Sequence, residues 1–324
     1  MNWFDYYSIK LASGQILNKL ALFQRLHRCF FCCYNGSMSE TPLGGNNLRE
    51  FAAALRLSRE KGVGAATFRR LIEEHGLPSV ALLFWRKLLR SGHCPGQISS
   101  RKSATADKIE KTCRMLKAGK FHGWFYSQPG YPAQLRDLSE PPPVVFATGP
   151  IGLSRFAAVV GARLMAPETS HITERVCRRL FADKYAIVSG GAAGVDAIAH
   201  TTALDEGVYT LAVLGTGIDV IYPAANLELF AKIRGAGALM TELMPGTRPA
   251  RSFFPTRNRL IAAMAETVVV IQASEKSGSM ITAAWAKRLG RSLMVVIPPA
   301  ASEKSDVWAG NRKLLSAGAI PLEL

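Results

Sequence analysis

The sequence predicts an α/β protein with a doubly wound, mainly parallel sheet, preceded by a small helical domain. Three observations carry this. Six short apolar runs recur from residue 156 onward: Phe156–Val160, Ala186–Ser189, Thr210–Leu214, Ala238–Thr241, Thr267–Ile271 and Leu293–Ile297. They are mostly continuous rather than alternating, as strands buried on both faces should be. The segments between them are long enough for crossover helices, and glycine-containing loops follow the runs, which is the strand–loop–helix repeat of such a sheet.

A chain of 324 residues has room for one large domain and a small one. Hydrophobic residues make up 48% and mean hydropathy is +0.09, so the chain is globular. The net charge of +16 and pI near 9.9 favour polyanions through a field that salt screens. Charge alone does not separate nucleic acid from an acidic membrane surface. Of the six cysteines, only Cys29-x-x-Cys32-Cys33 approaches a metal-ligand spacing, and it has no second half. Reduced thiols and a cytoplasmic location are therefore expected. No apolar run approaches the roughly 18 residues of a membrane helix, so no membrane partner is expected.

In chain order, residues 1–37 differ from the rest. Ile16, Leu20, Phe23 and His27 form a weak helical stripe, and the segment supplies only +3 of the net charge. Met38-Ser39-Glu40-Thr41-Pro42 reads as an ordinary protein start, so residues 1–37 are expected to be an extra segment, with Met38 a real or alternative start. Residues 38–135 are expected to form a helical domain with a basic connector. Leu48, Phe51, Ala52 and Leu55 have helical spacing, and Thr67 to His75 gives a second helix with Phe68, Leu71 and Ile72 on one face. The Gly62-Val63-Gly64 turn between them fits a helix-hairpin-helix, whose N–H groups can touch a phosphate. It equally fits an αα-hairpin whose glycines only supply backbone angles. Arg86, Lys87, Arg90, Arg101 and Lys102 read as a solvated connector, and Ala104 to Lys117 as another helix. Pro141-Pro142-Pro143 holds the chain extended, which puts a boundary near residue 136 and makes 136–324 the α/β domain. Val144–Ala147 is expected as an edge strand of its sheet.

Ligands of such a sheet bind outside the carboxyl ends of the strands. The first strand leads into Gly161-Ala162-Arg163, and the second ends at Ser189 before Gly190-Gly191-Ala192-Ala193-Gly194-Val195-Asp196. The third leads into Gly215-Thr216-Gly217-Ile218-Asp219, and the fifth into Lys276-Ser277-Gly278-Ser279 with a helix opening near Thr282. After the fourth come Glu242 and then Phe253-Phe254-Pro255-Thr256-Arg257-Asn258-Arg259, where the two aromatics and the proline stop the chain. Arg257 and Arg259 are expected in or beside the first turn of a short helix, where the N–H groups and dipole favour an anion and guanidinium forks suit phosphate. No GxxxxGK or G-x-G-x-x-G spacing occurs, so no tightly held dinucleotide is expected. Asp196 and Asp219 are placed as acidic catalysts or, more often at such junctions, helix caps. His200 is placed to pair with Asp196 on one helix face or to sit in the core. No nucleophile–base pair and no metal-ligand cluster is found.

Taken together the blocks resemble the DprA/Smf family of DNA-processing proteins. They include Gly130-Tyr131-Pro132, Val160-Gly161-Ala162-Arg163, Ser189-Gly190 through His200, Leu214-Gly215-Thr216-Gly217-Ile218-Asp219, Tyr222-Pro223, Phe254 through Ile261, and Ser277-Gly278-Ser279. The resemblance covers most of residues 48–319. It implies an extended Rossmann domain that binds single-stranded DNA at its basic edge, forms homodimers, and helps load a RecA-type recombinase onto incoming strands in natural transformation. It implies a binding protein rather than an enzyme, without a cofactor. It assigns the holding of DNA phosphates and sugars to Gly161, Arg163, Ser189, Gly190, Gly191, Gly194, Arg257, Asn258, Arg259, Lys276, Ser277, Gly278, Ser279 and Thr282.

The chain departs from the family pattern at Ala162, where a serine is usual, and at Ala193, where a long or basic side chain is usual. It departs again at Gln272, where an acid is usual, and at Pro298-Pro299, where a Pro-Gly turn is usual. It ends at Leu324, so a member without the family's winged-helix domain is expected. Trp308 to Leu324 is a candidate dimer surface, or else a last helix and strand packed on the sheet edge. Two other functions stay open. One is a nucleotide phosphoribohydrolase-like enzyme, whose P-G-G-x-G-T-x-x-E pattern is missing here; the other is a sensor of a small nucleotide, as in phage defence.

Overall fold

Why the chain folds around one sheet follows from its β-runs. In the computed structural model, which describes residues 45–91, 102–151, 155–302 and 304–323, nine strands form a single sheet. They are β1 (His122–Phe125), β2 (Val144–Ala147), β3 (Phe156–Val160), β4 (Ala186–Ser189), β5 (Thr210–Val213), β6 (Ala238–Thr241), β7 (Thr267–Val270), β8 (Ser292–Val296) and β9 (Ile320–Leu322). The order is β1-β2-β6-β5-β4-β3-β7-β8-β9. The seven strands from β6 to β9 are parallel, and β1 and β2 join antiparallel. From β3 the chain winds outward through β4, β5 and β6, then returns to β7 on the other side of β3. The carboxyl ends of β3 and β7 therefore flank the topological switch point, where an open α/β sheet leaves a crevice.

The helices are α1 (Gly45–Leu57), α2 (Ala65–His75), α3 (Pro78–Arg90), α4 (Lys102–Lys117), α5 (Thr169–Ala182), α6 (Val195–Asp205), α7 (Leu227–Ala236), α8 (Phe253–Met264), α9 (Ser279–Arg288) and α10 (Ala309–Ser316). The period of two along β3 divides the core. Ala157 and Val159 meet Val176, Cys177 and Leu180 of α5 and Val195, Ala199 and Ala203 of α6 on one face. Ala158 and Val160 meet Leu260, Ile261 and Met264 of α8 and Ala283 and Ala286 of α9 on the other.

The helical module shares a core with the sheet. Phe51 and Phe121 each meet Phe146 of β2 edge-to-face, at centroid distances of 5.8 and 5.6 Å. Gly123 of β1 has no room for a Cβ, which would stand 2.7 Å from the Phe51 ring. Gly62 turns with φ +83°, and Gly64 is the residue before α2. Arg86, Lys87 and Arg90 do not form a solvated connector. They belong to α3, whose Ala81, Leu82, Trp85 and Leu89 are buried. The basic residues mark only the outer face of an amphipathic helix.

The six predicted strands of the α/β domain are present to within a residue at either end. Val144–Ala147 is a strand but not an edge, because β1 pairs along its whole length. β1 lies upstream of residue 136. Its His-Gly-Trp-Phe sequence alternates in burial and gives no apolar run. At the far end Ile320–Leu322 pairs with β8 as the last strand, and Trp308 is fully buried, so Trp308 offers nothing to a partner surface. The Gly130-Tyr131-Pro132 block has a packing cause. Gly130, at φ +86°, lies against the Trp124 indole, and the Tyr131 hydroxyl donates to the Pro142 carbonyl at 2.8 Å. Residues 1–44, including the Met38 start, lie outside the described residues, as does the basic stretch 92–101.

Candidate nucleic-acid interface

Five loops leave the carboxyl edge of the sheet, and each contributes to one cavity of about 520 Å³. Val160 and Arg163 come from the end of β3, Ala192 from the loop after β4 and Asp196 from the first turn of α6, Tyr222 from the segment after β5, and Arg251 from the segment after β6. Helix α8 supplies Phe254, Pro255, Arg257, Asn258 and Ile261, and α9 opens beneath with Gly278, Ser279, Ile281 and Thr282.

The loops approach this closely because their glycines have no side chain. A Cβ on Gly161 would stand 2.6 Å from Val195, and one on Gly191 would enter the Phe230 ring. Gly194 has φ +82°, and a Cβ there would overlap the Ala162 carbonyl oxygen, which accepts the Val195 N–H at 3.1 Å. Gly194→Ala is expected to cost about 2 kcal/mol of stability, from a left-handed backbone combined with overlap against main chain. Urea denaturation measures it, and a loss below about 0.5 kcal/mol would contradict this account.

Asp196, in the first turn of α6, braces the loop after β4. It is buried, and one carboxylate oxygen accepts the N–H groups of Gly190 and Ala192 at 3.1 and 3.3 Å. Burial raises its pKa, against the opposing charge of Arg257. His200 does not pair with Asp196. It is fully buried with Nδ1 2.7 Å from Thr210 Oγ1, and burial lowers its pKa to about 3, so it is neutral. Asp219 accepts the Gly246 N–H at 2.6 Å.

The sequence-predicted residues divide into three groups. Arg163, Arg257, Asn258, Gly278, Ser279 and Thr282 line the cavity. Gly161, Ser189, Gly190, Gly191 and Gly194 shape it from behind; Ser189, for instance, is fully buried and donates to the Val159 carbonyl at 2.6 Å. Lys276 is exposed and Ser277 Oγ lies 2.7 Å from Ser279 Oγ, both on the turn into α9 just beyond the lining. Arg259 lies outside the lining, bound to the Glu242 carboxylate and, at 3.2 Å, to the Glu140 carbonyl.

Helix α8 begins at Phe253, so both arginines lie beyond its first turn. Pro255 is accommodated in that turn, where its missing N–H costs no intrahelical bond. Residues two apart on a helix face different ways, and Arg257 and Arg259 accordingly diverge. Arg257 is only 6% exposed. Its Nη1 donates to the carbonyls of Gly190, at 2.7 Å, and Val213, while Nε donates to Asn258 Oδ1 at 3.2 Å. Burial lowers its pKa to about 10, with Asp196 opposing the shift. Gly190 is glycine because a Cβ would stand 2.7 Å from this guanidinium carbon.

Sequence reasoning missed Tyr222, Arg251 and the role of Phe254. Tyr222 is 42% exposed, and its ring lies 5.5 Å from that of Phe254. The exposed Arg163 guanidinium stands over the same Phe254 ring at 5.7 Å. An aromatic pair beside two outward cations at a cavity mouth offers π faces and positive charge together. Of the departures from the family pattern, Gln272 is fully buried. Its Oε1 accepts from Ala166 N at 3.1 Å and Thr169 Oγ1 at 2.7 Å, away from the cavity lining. Ala193 is exposed at the tip of its loop.

Residues 122–323 match the family described as DNA recombination-mediator protein A. The chain belongs to this family. Residues 49–107 match the DprA-like N-terminal HHH domain, which corresponds to the helical module. Among relatives of the family, the putative DNA processing protein DprA of Mycobacterium tuberculosis is 43% identical over 194 residues, covering 59% of this chain and 49% of the relative. DNA processing protein DprA of Streptococcus pneumoniae is 38% identical over 168 residues, covering 51% of this chain and 59% of the relative. The chain thus spans about half the length of the curated relatives it matches. The X-ray structure of the S. pneumoniae protein superposes with a TM-score of 0.68 at 28% identity, covering 88% of this chain and 95% of that one. DNA processing protein A from Helicobacter pylori, described for its single-stranded DNA binding mode, gives a TM-score of 0.55 at 29% identity, covering 63% of this chain and 92% of that one. The family's α/β sheet preceded by a helical HHH domain is the architecture of this chain.

Among the described residues no group of acids, histidines and cysteines is placed to hold a metal ion, and no helix is long and apolar enough to cross a membrane.

Proposed function

We propose that this protein binds single-stranded DNA at the carboxyl edge of its sheet and acts as a DNA-processing protein in recombination of incoming strands. The observation that carries this reading is the Tyr222–Phe254 ring pair, exposed at Tyr222 and half-buried at Phe254, with Arg163 over the Phe254 ring and Arg251 lining the same cavity. Single strands present unpaired bases and a flexible phosphate backbone, and proteins hold them by stacking bases on aromatic rings beside a basic track. A duplex keeps its bases stacked on each other and cannot offer a π face to such a pair. Membership of the family and the single-stranded DNA binding of the H. pylori relative support the same reading. In this assignment Arg163 and Arg251 meet phosphates, with Lys276 and the Ser277–Thr282 turn beside them. Arg257, Ser189 and the glycines hold the loops in place. Delivery of the strand to a RecA-type recombinase, homodimer formation, a cytoplasmic location and the lack of catalytic activity belong to the same proposal. So does the division into residues 1–37, a mainly helical part over 38–135 that also lends β1 to the sheet, and a DNA-binding domain over 136–324.

The test is fluorescence anisotropy with labelled oligonucleotides over a salt series. Single strands are expected to bind more tightly than duplex. Arg163→Ala is expected to weaken binding and to lower the slope of log K against log salt by about 0.7. Equal affinity for both forms, or indifference to Arg163, would remove DNA from this edge. Tight binding of a mononucleotide instead would favour a nucleotide sensor.

A further inference from the structure

The segment that carries Arg251 has no regular structure of its own, yet it is clasped. Residues 242–252 run from the end of β6 to the start of α8. The Gly217–Asp219 turn, which follows β5, grips this strap at its middle. Gly217 N donates to the Thr247 carbonyl at 2.9 Å, and the Asp219 carboxylate accepts the Gly246 N–H at 2.6 Å. Gly217 is pressed so closely that a Cβ would stand 2.6 Å from the Met244 carbonyl and 2.9 Å from the Gly246 and Thr247 nitrogens. Gly246 turns with φ +76°, a conformation glycine adopts readily, at the point where its N–H meets the carboxylate. Beyond the clasp the strap crosses residues 247–250 and enters α8 through the Phe253 N–H to Ala250 carbonyl bond at 3.0 Å. Arg251 therefore lies between two fixed points, the clasp and the helix, and from there reaches the cavity.

We propose that Asp219 is a positioning residue for nucleic-acid binding: its carboxylate fixes the strap and thereby holds Arg251 at the cavity mouth. Asp219 is absent from the cavity lining and, being anionic, would repel a phosphate. Its contribution to binding must then be indirect, by removing the ordering cost of a loose strap before DNA arrives. This inference rests on the reading of the cavity as a DNA site.

The test is a double-mutant cycle in the full chain, read by anisotropy with a single-stranded oligonucleotide over a salt series. Asp219→Ala is expected to bind about fivefold more weakly, the worth of one typical hydrogen bond, with an unchanged salt slope because every phosphate contact is still made. Arg251→Ala is expected to bind more weakly with a slope lower by about 0.7. In the Arg251→Ala background, Asp219→Ala should cost less than about twofold, because the residue it positions is gone. Asp219→Asn, which keeps an acceptor for the Gly246 N–H, should recover most of the affinity. A fivefold loss that persists without Arg251, or a slope that falls with Asp219→Ala alone, overturns the inference. Loss in Arg251→Ala with none in Asp219→Ala overturns the clasp while leaving the DNA site standing. Indifference of Arg251→Ala overturns both. Hydrogen exchange on the unaltered protein gives a check that does not depend on a variant folding. The Gly217 and Gly246 amides should be protected, and exchange at the rate of an unstructured chain would refute the clasp.

Discussion

Replacing Arg257 with methionine is expected to lower the unfolding free energy by about 3 kcal/mol, measured by urea denaturation at neutral pH. The side chain is buried, and its guanidinium ties the ends of β4 and β5 together through the Gly190 and Val213 carbonyls. Methionine fills much of the volume but leaves both carbonyls without that donor and leaves Asp196 without the cation that offsets its burial. Arg257→Lys is expected to restore the loss only in part, since one ammonium can donate to the two carbonyls that Nη1 serves but has no second nitrogen to hold Asn258 as Nε does. The deficit should depend on pH with a definite sign. Burial already raises the Asp196 pKa, and removing Arg257 raises it further. A carboxyl with a raised folded pKa loses stability as pH climbs from its unfolded value, about 3.9, through the folded one. The variant's deficit should therefore be greatest near pH 7 and shrink as the solution is acidified. A deficit under about 1 kcal/mol, or one that stays flat down to pH 4.5, would mean that Asp196 and Arg257 are not coupled.

That an arginine of the binding edge should act on stability first shows where sequence reading stops. The sheet was legible because β3 to β7 are buried on both faces, and burial on both faces writes itself as an unbroken apolar run. β1 was not legible: His-Gly-Trp-Phe is too short and too mixed to register, and it is a strand only because β2 pairs with it. β9 was legible only as one of two alternatives, a last helix and strand packed on the sheet edge, and pairing with β8 is what decides for it. Helix α3 was hidden by its own outer face, where Arg86, Lys87 and Arg90 drew attention from the stripe through Trp85 and Leu89. The loops of the site were legible through glycines that close approach demands, at Gly161, Gly190 and Gly194. The direction of each side chain was not. Two arginines in Arg-Asn-Arg look equivalent in a string, but a helix turns about 100° per residue and sends one inward and the other to Glu242. Arg251 lies three residues before Phe254, but Tyr222 comes from a separate loop and nothing in the string links it to either. Only the topology, which sets the end of β5 beside the end of β6, brings Tyr222 to them.

Phe254→Ala is expected to weaken single-stranded DNA binding by about tenfold to a hundredfold, the range for losing one stacked base, with no change in salt slope. The two readouts separate stacking from charge. Truncating an arginine removes a phosphate contact and its released counterion, so affinity and slope fall together. Truncating a ring removes only the π face, so affinity falls alone. Phe254 also packs, since its edge occupies the space that a Cβ on Gly215 would need, 2.8 Å away. Alanine therefore leaves open whether lost binding reflects a lost stack or a shifted loop. Phe254→Leu resolves this, because leucine keeps contact with Gly215 and presents no aromatic face. If the ring is a platform for a base, leucine binds nearly as weakly as alanine while melting close to the parent protein. If the ring only wedges the loops apart, leucine restores binding, and the site would then recognise the DNA backbone alone. In that case the preference for single over double strands should disappear as well, because the phosphate track of a duplex would satisfy Arg163 and Arg251 equally. The leucine variant measured on both oligonucleotides thus tests whether the aromatic pair is what makes the edge selective for unpaired strands.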